Sequence, residues 1–354
     1  MTDHHEPTKA NPPTESPGSS ACQGGLTRRR MLATTTGVAG VAAAGLAYWD
    51  VWAERFHTAE CFIGKAATYD VGQLTDLIKR GLREIGFAAK EVRGKSVMLK
   101  PNLVEPMRES PHVNTDPRFV RAVVEVFLGM GASEVFIAEG QGHVRDTYYV
   151  LEQSGLEEVL HEDRIPFVDL NHDDVFRTPN RSGWMRYLKE FHLPTSLKRA
   201  DLIVSLPKMK THHWAGVTLS MKNFFGVMPG VCYGWPKNVL HFNGIPNSIN
   251  DIVATVRPHL AIIDGVVGME GDGPIMGTPR QSGLVVISRN LPAADATGAR
   301  LMGFQPEVLP FLRLATGRLG PIAERNIQQR GEPIAAVQQV FSLPDHPHFR
   351  QFRP

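Results

Sequence analysis

Two short segments of this sequence concentrate side chains suited to binding an anion and moving protons. They are Lys208–Trp214 and Ser220–Gly226. The candidate ligand-binding residues in them are Lys208, Lys210, Lys222 and Asn223, and the candidate acid–base residues are His212 and His213. Lysine offers a point charge to phosphate or carboxylate, and histidine titrates near neutral pH. A solvated basic loop is the alternative, but Trp214 and Phe225 favour a binding segment.

Further polar residues follow apolar runs that predict β-strands. Lys100 ends one such run, and Asn102 follows it. Glu139 directly follows the next run, and His143 lies in the loop after it. In open α/β sheets the ligand crevice lies beyond the carboxyl ends of the strands, so Lys100 and Glu139 are expected to line one cleft together with Lys208, His212 and Asp264. Polar loop residues must follow any strand, which explains part of the pattern. It explains Lys100 and Glu139 poorly, because both directly adjoin apolar residues.

A third candidate is the glycine-rich segment 264–274, which carries three carboxylates. Asp264, Glu270 and Asp272 are candidate ligands of a divalent metal, because hard carboxylate oxygens suit Mg²⁺ and Ca²⁺. Their spacing does not match the Asp-x-Asp-x-Asp-Gly calcium loop. A network of tight turns, with the carboxylates accepting backbone hydrogen bonds, is an equal alternative.

Short β-branched runs alternate with segments of helical periodicity from about residue 60 onward. The predicted strands are 96–100, 134–138, 166–170, 202–206, 260–263 and 284–288, and the clearest predicted helices are 71–85 and 117–130. Asp116 before Pro117 is typical of a helix N-cap followed by a first-turn proline. The alternation predicts one α/β domain with a mainly parallel, doubly wound sheet flanked by helices. Residues 207–250 are expected to form a long loop insertion.

The amino-terminal segment has the pattern of an export signal. Residues 1–26 are polar and predicted to be disordered. Residues 27–53 begin with Thr27 and the arginines 28–30 and continue into an uncharged stretch through Ala47, which resembles a twin-arginine signal. Cleavage after Ala47 and retention as a membrane anchor both stay open. We therefore expect the twin-arginine translocase as a partner and a periplasmic or extracytoplasmic location, with membrane contact only through an uncleaved signal.

Composition excludes two classes of partner or cofactor. The formal net charge is +2, and the basic residues are scattered, so nucleic acid is not an expected partner. The chain has three cysteines and no C-x-x-C pair, so we expect it to ligate no iron–sulfur cluster. Cys61 and Cys232 would both remain after removal of the signal, and their spacing does not decide whether they pair.

Four of these motifs together resemble a known family. They are 97–104, with its Lys-Pro-Asn element, 208–213, with Lys-x-Lys-Thr-His, 220–226 and 264–268. They are similar to the uncharacterised family called domain of unknown function 362, over roughly residues 60–310. The resemblance implies the α/β fold, for which we expect bounds of 60–340 before a tail at 341–354. Some members carry an appended ferredoxin-type domain whose cysteines this chain lacks.

Two functions follow from these patterns. The first is an exported enzyme acting on a small phosphate- or carboxylate-bearing substrate, with a divalent metal as a candidate cofactor. The second is a non-catalytic accessory or binding protein for an exported redox enzyme or metalloenzyme. Charged groups at strand ends favour the first, and an export signal without a cofactor motif favours the second.

Overall fold

The computed structural model describes residues 57–185, 187–344 and 347–352. The predicted signal at 27–53 and the predicted disorder at 1–26 lie outside these residues. No helix in the described part of the chain is long and apolar enough to cross a membrane.

Twelve strands are present in the described ranges. In chain order they are β1 Ala59–Lys65, β2 Ser96–Pro101, β3 Glu134–Glu139, β4 Phe167–Asp169, β5 Val175–Pro179, β6 Glu190–Pro194, β7 Leu202–Leu206, β8 Lys208–His212, β9 Gly216–Thr218, β10 Leu260–Glu270, β11 Thr278–Ser288 and β12 Ile327–Gly331. Ten form one sheet, in the order β12-β1-β11-β10-β7-β2-β3-β4, with β8 paired to β10 and β9. The mostly parallel sheet confirms the predicted class, although β11 runs antiparallel to both β1 and β10.

The α-helices are α1 Val71–Glu84, α2 Pro117–Gly129, α3 Thr147–Ser154, α4 Leu156–Glu162, α5 Ser196–Arg199, α6 Ser220–Asn223, α7 Gly230–Tyr233, α8 Asn238–Phe242, α9 Ile245–Val256, α10 Leu291–Leu301, α11 Pro310–Ala315 and α12 Ile334–Val337. The predicted cap of α2 is confirmed, because the Asp116 carboxylate accepts a hydrogen bond from the backbone N–H of Arg118 at 2.9 Å. This bond satisfies a donor that the first helical turn leaves without a partner.

Helices cover both faces of the sheet. Along β1, Phe62 belongs to one apolar cluster, whereas Cys61 and Ile63 belong to the other, as the two-residue period of a strand requires. The first cluster includes the buried faces of α1 and α2, and the second includes those of α9 and α10. The resulting three layers leave the strand ends as the natural place for a site.

Two segments are more ordered than the sequence pattern indicated. Residues 207–250, predicted to be a loop, contribute β8 and β9 to the sheet together with three short α-helices and part of α9. The segment predicted to be a tail packs against the core, since Phe341 and Phe352 are buried. The domain therefore extends beyond residue 340.

Candidate functional site

A cavity of about 310 Å³ lies beyond the carboxyl ends of β2 and β3, which is where ligands bind in open α/β sheets. Its lining includes most of the residues predicted from sequence. These are Lys100, Asn102, Glu139, His143, Lys210, His212, His213, Lys222, Asn223 and Asp272. We call this space the lysine cavity. Trp214, Phe225 and Met276 give it an apolar wall.

Lys100 and Glu139 form a buried ion pair at the base of the lysine cavity. The Lys100 ammonium donates to both Glu139 carboxylate oxygens at 2.8 Å and to Asn223 Oδ1 at 3.3 Å. Burial lowers the pKa of Lys100, and the Glu139 charge acts in the opposite direction. Gly226 packs so closely on the pair that an added Cβ would lie 2.1 Å from Glu139 Oε1. A larger residue at position 226 would clash with the Lys100–Glu139 pair, so this position requires glycine.

Lys208 and Asp264 do not line the lysine cavity, which corrects the expectation that they share a cleft with Lys100. Both side chains are fully buried, with Lys208 Nζ 2.5 Å from Asp264 Oδ2. Tyr69 completes the network by donating to Asp264 Oδ1 at 2.9 Å and accepting from Lys208 Nζ at 2.9 Å. Lys208 and Lys210 are two residues apart on β8 and would be expected on the same face of the strand, but the Asp264 carboxylate on neighbouring β10 binds the Lys208 ammonium.

Lys210 faces the lysine cavity, but its ammonium is already engaged by the backbone. It donates to the carbonyl oxygens of Val113 at 2.9 Å and Pro274 at 3.3 Å. Burial, followed by the charges of Lys222 and Lys208, holds the pKa of Lys210 well below its usual range. Lys210 therefore anchors the segment around Pro274 and is a weak source of positive charge.

Lys222 differs from these lysines because its ammonium has no hydrogen-bond or ion-pair partner among the described residues. Its Nζ lies 4.9 Å from the centre of the Phe225 ring. Burial, with a smaller effect of the Lys100 charge, lowers the pKa of Lys222 to about 8. At neutral pH the lysine cavity thus presents a cation that the protein does not neutralise.

Lys237 is a further lysine of the cavity that sequence reasoning missed. It is buried and donates to Asn171 Oδ1 and to the carbonyl oxygen of Met228, each at 2.5 Å. Burial lowers the pKa of Lys237 to about 7. Lys237 lies outside the motifs identified in the sequence, and its proximity to Trp235 was the only local signal for it.

The adjacent histidines His212 and His213 use Nδ1 in opposite ways, one as a hydrogen-bond acceptor and the other as a donor. His212 Nδ1 accepts from the backbone N–H of Trp214 at 3.0 Å, so its hydrogen lies on Nε2, which has no partner in the described chain. His213 Nδ1 instead donates to the Gly273 carbonyl oxygen at 2.8 Å. Burial, then nearby positive charge, holds the pKa of His212 well below 6.5. His212 is therefore a neutral hydrogen-bond donor.

His143 forms a dyad with Glu105, a residue that the sequence did not single out. Nδ1 of His143 is 2.5 Å from Glu105 Oε1, and the second carboxylate oxygen accepts from Arg145 Nε at 3.1 Å. A histidine oriented by a carboxylate on one ring nitrogen can exchange protons through the other. Glu105 had no detectable signal in the sequence because it lies in a loop beyond the Lys-Pro-Asn element.

Two polar atoms of the cavity wall have no partner within the described residues. They are Asn102 Oδ1 and Thr218 Oγ1, both inaccessible to solvent. Buried polar atoms are seldom left without a hydrogen bond, and a ligand with an O–H or N–H group would satisfy them. His241 also lines this wall, with its ring 5.7 Å from that of Phe225.

The three carboxylates considered as metal ligands have separate partners. Asp264 accepts from Lys208, Glu270 accepts from the backbone N–H of Ser342 at 3.0 Å, and Asp272 is largely exposed with one oxygen 3.9 Å from His213 Nδ1. Within the described ranges, no three His, Cys, Asp or Glu side chains are grouped as metal ligands. The divalent metal stays a prediction.

Cys61 is buried and Cys232 is exposed, and both are free thiols.

Comparison with known proteins identifies the family. The family described as domain of unknown function 362 matches residues 97–300. The chain belongs to this family. The match spans the strands that carry Lys100 and Glu139 and the whole of the Lys208–Gly226 region, so the lysine cavity is built from the family's own segment.

A curated relative is the thylakoid-associated protein of Synechocystis, which is 27% identical over 288 residues, covering 79% of this chain and 86% of the relative. Among solved structures, the lactate racemase apoprotein from Thermoanaerobacterium thermosaccharolyticum aligns with a TM-score of 0.40 and 13% identity, over 60% of this chain and 51% of its own. A Thermotoga maritima protein aligns with a TM-score of 0.32 and 12% identity, over 61% of this chain and 54% of its own. This chain thus spans about half the length of each solved structure.

Proposed function

We propose that this domain of unknown function 362 protein is an enzyme that binds a small organic anion in the lysine cavity and transfers a proton to or from it. The observation that carries the proposal is the unpaired ammonium of Lys222 in a cavity that holds four lysines, Lys100, Lys210, Lys222 and Lys237, and two carboxylates, Glu139 and Asp272. One carboxylate is already paired with Lys100. The remaining charge favours an anionic ligand.

The surroundings of Lys222 define what the anion must look like. Trp214 and Phe225 provide apolar contact for a carbon skeleton, and the unpartnered Asn102 Oδ1 requires a hydrogen-bond donor. A carboxylate or phosphate monoester that also carries a hydroxyl or amino group meets all three requirements. Lys222 and the Nε2–H of His212 would hold its charged oxygens.

Proton transfer is assigned to histidines whose tautomers are set by their partners. The His143–Glu105 dyad supports a base, because the carboxylate stabilises the imidazolium that forms when Nε2 takes a proton. His213 also lines the cavity, and its Nδ1–H donates to the Gly273 carbonyl oxygen. The step needs no oxidant: a C–H or O–H bond of the ligand breaks, and an N–H bond of the histidine forms.

The test is ¹H NMR in D₂O with a panel of small hydroxy- and amino-substituted carboxylates and phosphate monoesters. We expect one class to bind and to lose proton signal through deuterium incorporation, with binding weakened by Lys222→Met and exchange abolished by His143→Asn. Lys189→Met, at an exposed lysine outside the cavity, is the matched control. Binding without exchange would favour the non-catalytic accessory role, and binding insensitive to Lys222→Met would refute the site.

We propose in addition that the protein reaches its compartment through the twin-arginine route. The support is the Thr27–Leu32 pattern followed by an uncharged stretch. Replacing Arg28 and Arg29 together by lysine should retain the protein in the cytoplasm, as measured by cell fractionation and immunoblotting. Unchanged distribution would remove the export proposal without affecting the lysine cavity.

A further inference from the structure

A second cleft, of about 480 Å³, gathers arginines from four separate parts of the chain. Arg181 lies in the loop after β5, Arg257 follows α9, Arg289 follows β11, and Arg318 follows α11. We call it the arginine cleft. No acidic residue is among the described residues that line it. Like charges gathered in a concave surface raise the local potential and favour an anion.

The arginine cleft lies at the opposite end of the strands from the lysine cavity. Arg257 and Pro258 precede β10, and Arg289 follows β11, whose last residue, Ser288, pairs with Ala261 near the start of β10. The lysine cavity lies at the carboxyl ends of the neighbouring parallel strands. The two share no lining residue. An anion in one would not occupy the other.

Three of the four arginines have no carboxylate partner in the described part of the chain. Arg289 donates to both oxygens of Glu91, at 3.1 and 2.7 Å. Arg181, Arg257 and Arg318 form no ion pair there. The guanidinium of Arg318 lies 5.0 Å from the centre of the Trp184 ring, so an aromatic wall adjoins the charge.

Buried hydrogen bonds hold the loop that carries Arg181 and Trp184. The fully buried carboxylate of Asp251 on α9 accepts from Ser182 Oγ at 2.6 Å and from the backbone N–H of Trp184 at 2.9 Å. Opposite them, Asn290 Nδ2 donates to the Leu319 carbonyl oxygen at 3.0 Å and so fixes the segment next to Arg318. The walls are thus rigidly attached to the core before any ligand binds.

Arg257 occupies a backbone conformation that usually selects glycine or asparagine. It ends α9 with φ of 56°, in the left-handed region. A residue with a Cβ is less stable in this region than glycine, so a long charged side chain here is not explained by the local backbone. A requirement for its guanidinium would explain it.

We infer that the arginine cleft binds a phosphate-bearing ligand. Guanidinium groups match phosphate oxygens in a bidentate geometry, and Trp184 offers a ring face to an attached organic group. The N-terminus of α10, at Asn290–Pro292, borders the cleft and adds the positive end of its dipole. The same chemistry would accept a free phosphorylated molecule or the headgroup of a phospholipid.

The experiment uses the full chain and two probes: inorganic pyrophosphate, followed by isothermal titration calorimetry, and phosphatidylglycerol–phosphatidylcholine vesicles, followed by co-sedimentation. The variants are Arg257→Gly, which suits the left-handed backbone, and Arg318→Gln. Arg83→Gln, at an exposed arginine on α1, is the control. We expect each cleft variant to weaken binding about tenfold, as loss of a charge-assisted hydrogen bond does, and the control to leave it unchanged.

Pyrophosphate binding that both cleft variants weaken supports the inference and identifies a free ligand. Variant-sensitive binding to vesicles alone supports it with a lipid headgroup as the source. Absence of binding to both probes, or binding that the cleft variants leave unchanged, overturns it. The thermal midpoint of Arg257→Gly is measured in parallel, and an unchanged or raised value shows that any loss of binding is not a loss of folding. Binding at the lysine cavity is tested by Lys222→Met and binding at the arginine cleft by Arg257→Gly and Arg318→Gln, so the two proposals fail independently.

Discussion

Lys208 and Lys222 are of one residue type, come from the same region of the chain and have opposite surroundings. Lys208 is fully buried between Asp264 and Tyr69, whereas the Lys222 ammonium borders the lysine cavity 4.9 Å from the centre of the Phe225 ring and has no hydrogen-bond or ion-pair partner among the described residues. A buried charge with a complete set of partners belongs to the fold, because removing one partner leaves the other uncompensated. A buried charge without partners disfavours the folded state and is available to a ligand. This difference separates structural from functional lysines here.

The largest expected effect is on stability. Asp264→Ala leaves the Lys208 charge buried without its carboxylate and should lower the free energy of unfolding by about 3–5 kcal/mol. Guanidinium-induced unfolding followed by circular dichroism measures it. The double variant Lys208→Met with Asp264→Leu removes both charges and should lose less. If Asp264→Ala is as stable as the wild type, the distinction between a structural Lys208 and a functional Lys222 is refuted.

The next effect is on binding. Lys222→Met should weaken the affinity for the anionic ligand by roughly 10- to 100-fold, the range expected for a hydrogen bond to a charged group. Calorimetric titration with the best compound of the panel measures this ratio, with Lys189→Met as the reference. Equal affinities in the two variants would place the anion elsewhere.

The pH dependence of binding follows from the lowered pKa of Lys222, about 8. Below that pH the ammonium is charged, and above it the free protein must take up a proton to bind the anion. The apparent affinity should therefore fall by about tenfold per pH unit above about 8. Titrations from pH 6 to 10 measure the profile, and Lys222→Met should flatten it. A wild-type profile without this decline contradicts the assignment.

The smallest expected effect is that of Lys222→Met on stability: at pH 7 the variant should be at least as stable as the wild type, because burial of the unpartnered ammonium disfavours the folded state. Because the pKa of Lys222 falls from 10.5 unfolded to about 8 folded, the unfolded chain binds more protons between these values. The wild type should therefore gain stability relative to the variant as pH rises through that window. Urea unfolding at pH 7 and pH 10 compares them. A loss of several kcal/mol at pH 7 would show a hidden partner of Lys222.

Strand ends proved the most informative feature of the sequence. Lys100 and Glu139 were identified because each adjoins an apolar strand, and the parallel topology brings them to one cavity. Strand β8 was missed because Lys-Met-Lys-Thr-His shows no apolar alternation. Its polar side chains are buried all the same, since Asp264 and backbone carbonyl oxygens satisfy them.

Sequence patterns were sufficient to predict the α/β class, the family, the strands that carry the cavity and the residue types available for binding an anion. Local patterning suffices for these, because it depends on neighbours in the chain. The three-dimensional structure was needed to show that Lys208 is paired, that Lys222 has no such partner among the described residues, and that Glu105 orients His143. The role of each charge depends on which residue, distant in sequence, lies within hydrogen-bonding distance, and no local pattern encodes that distance.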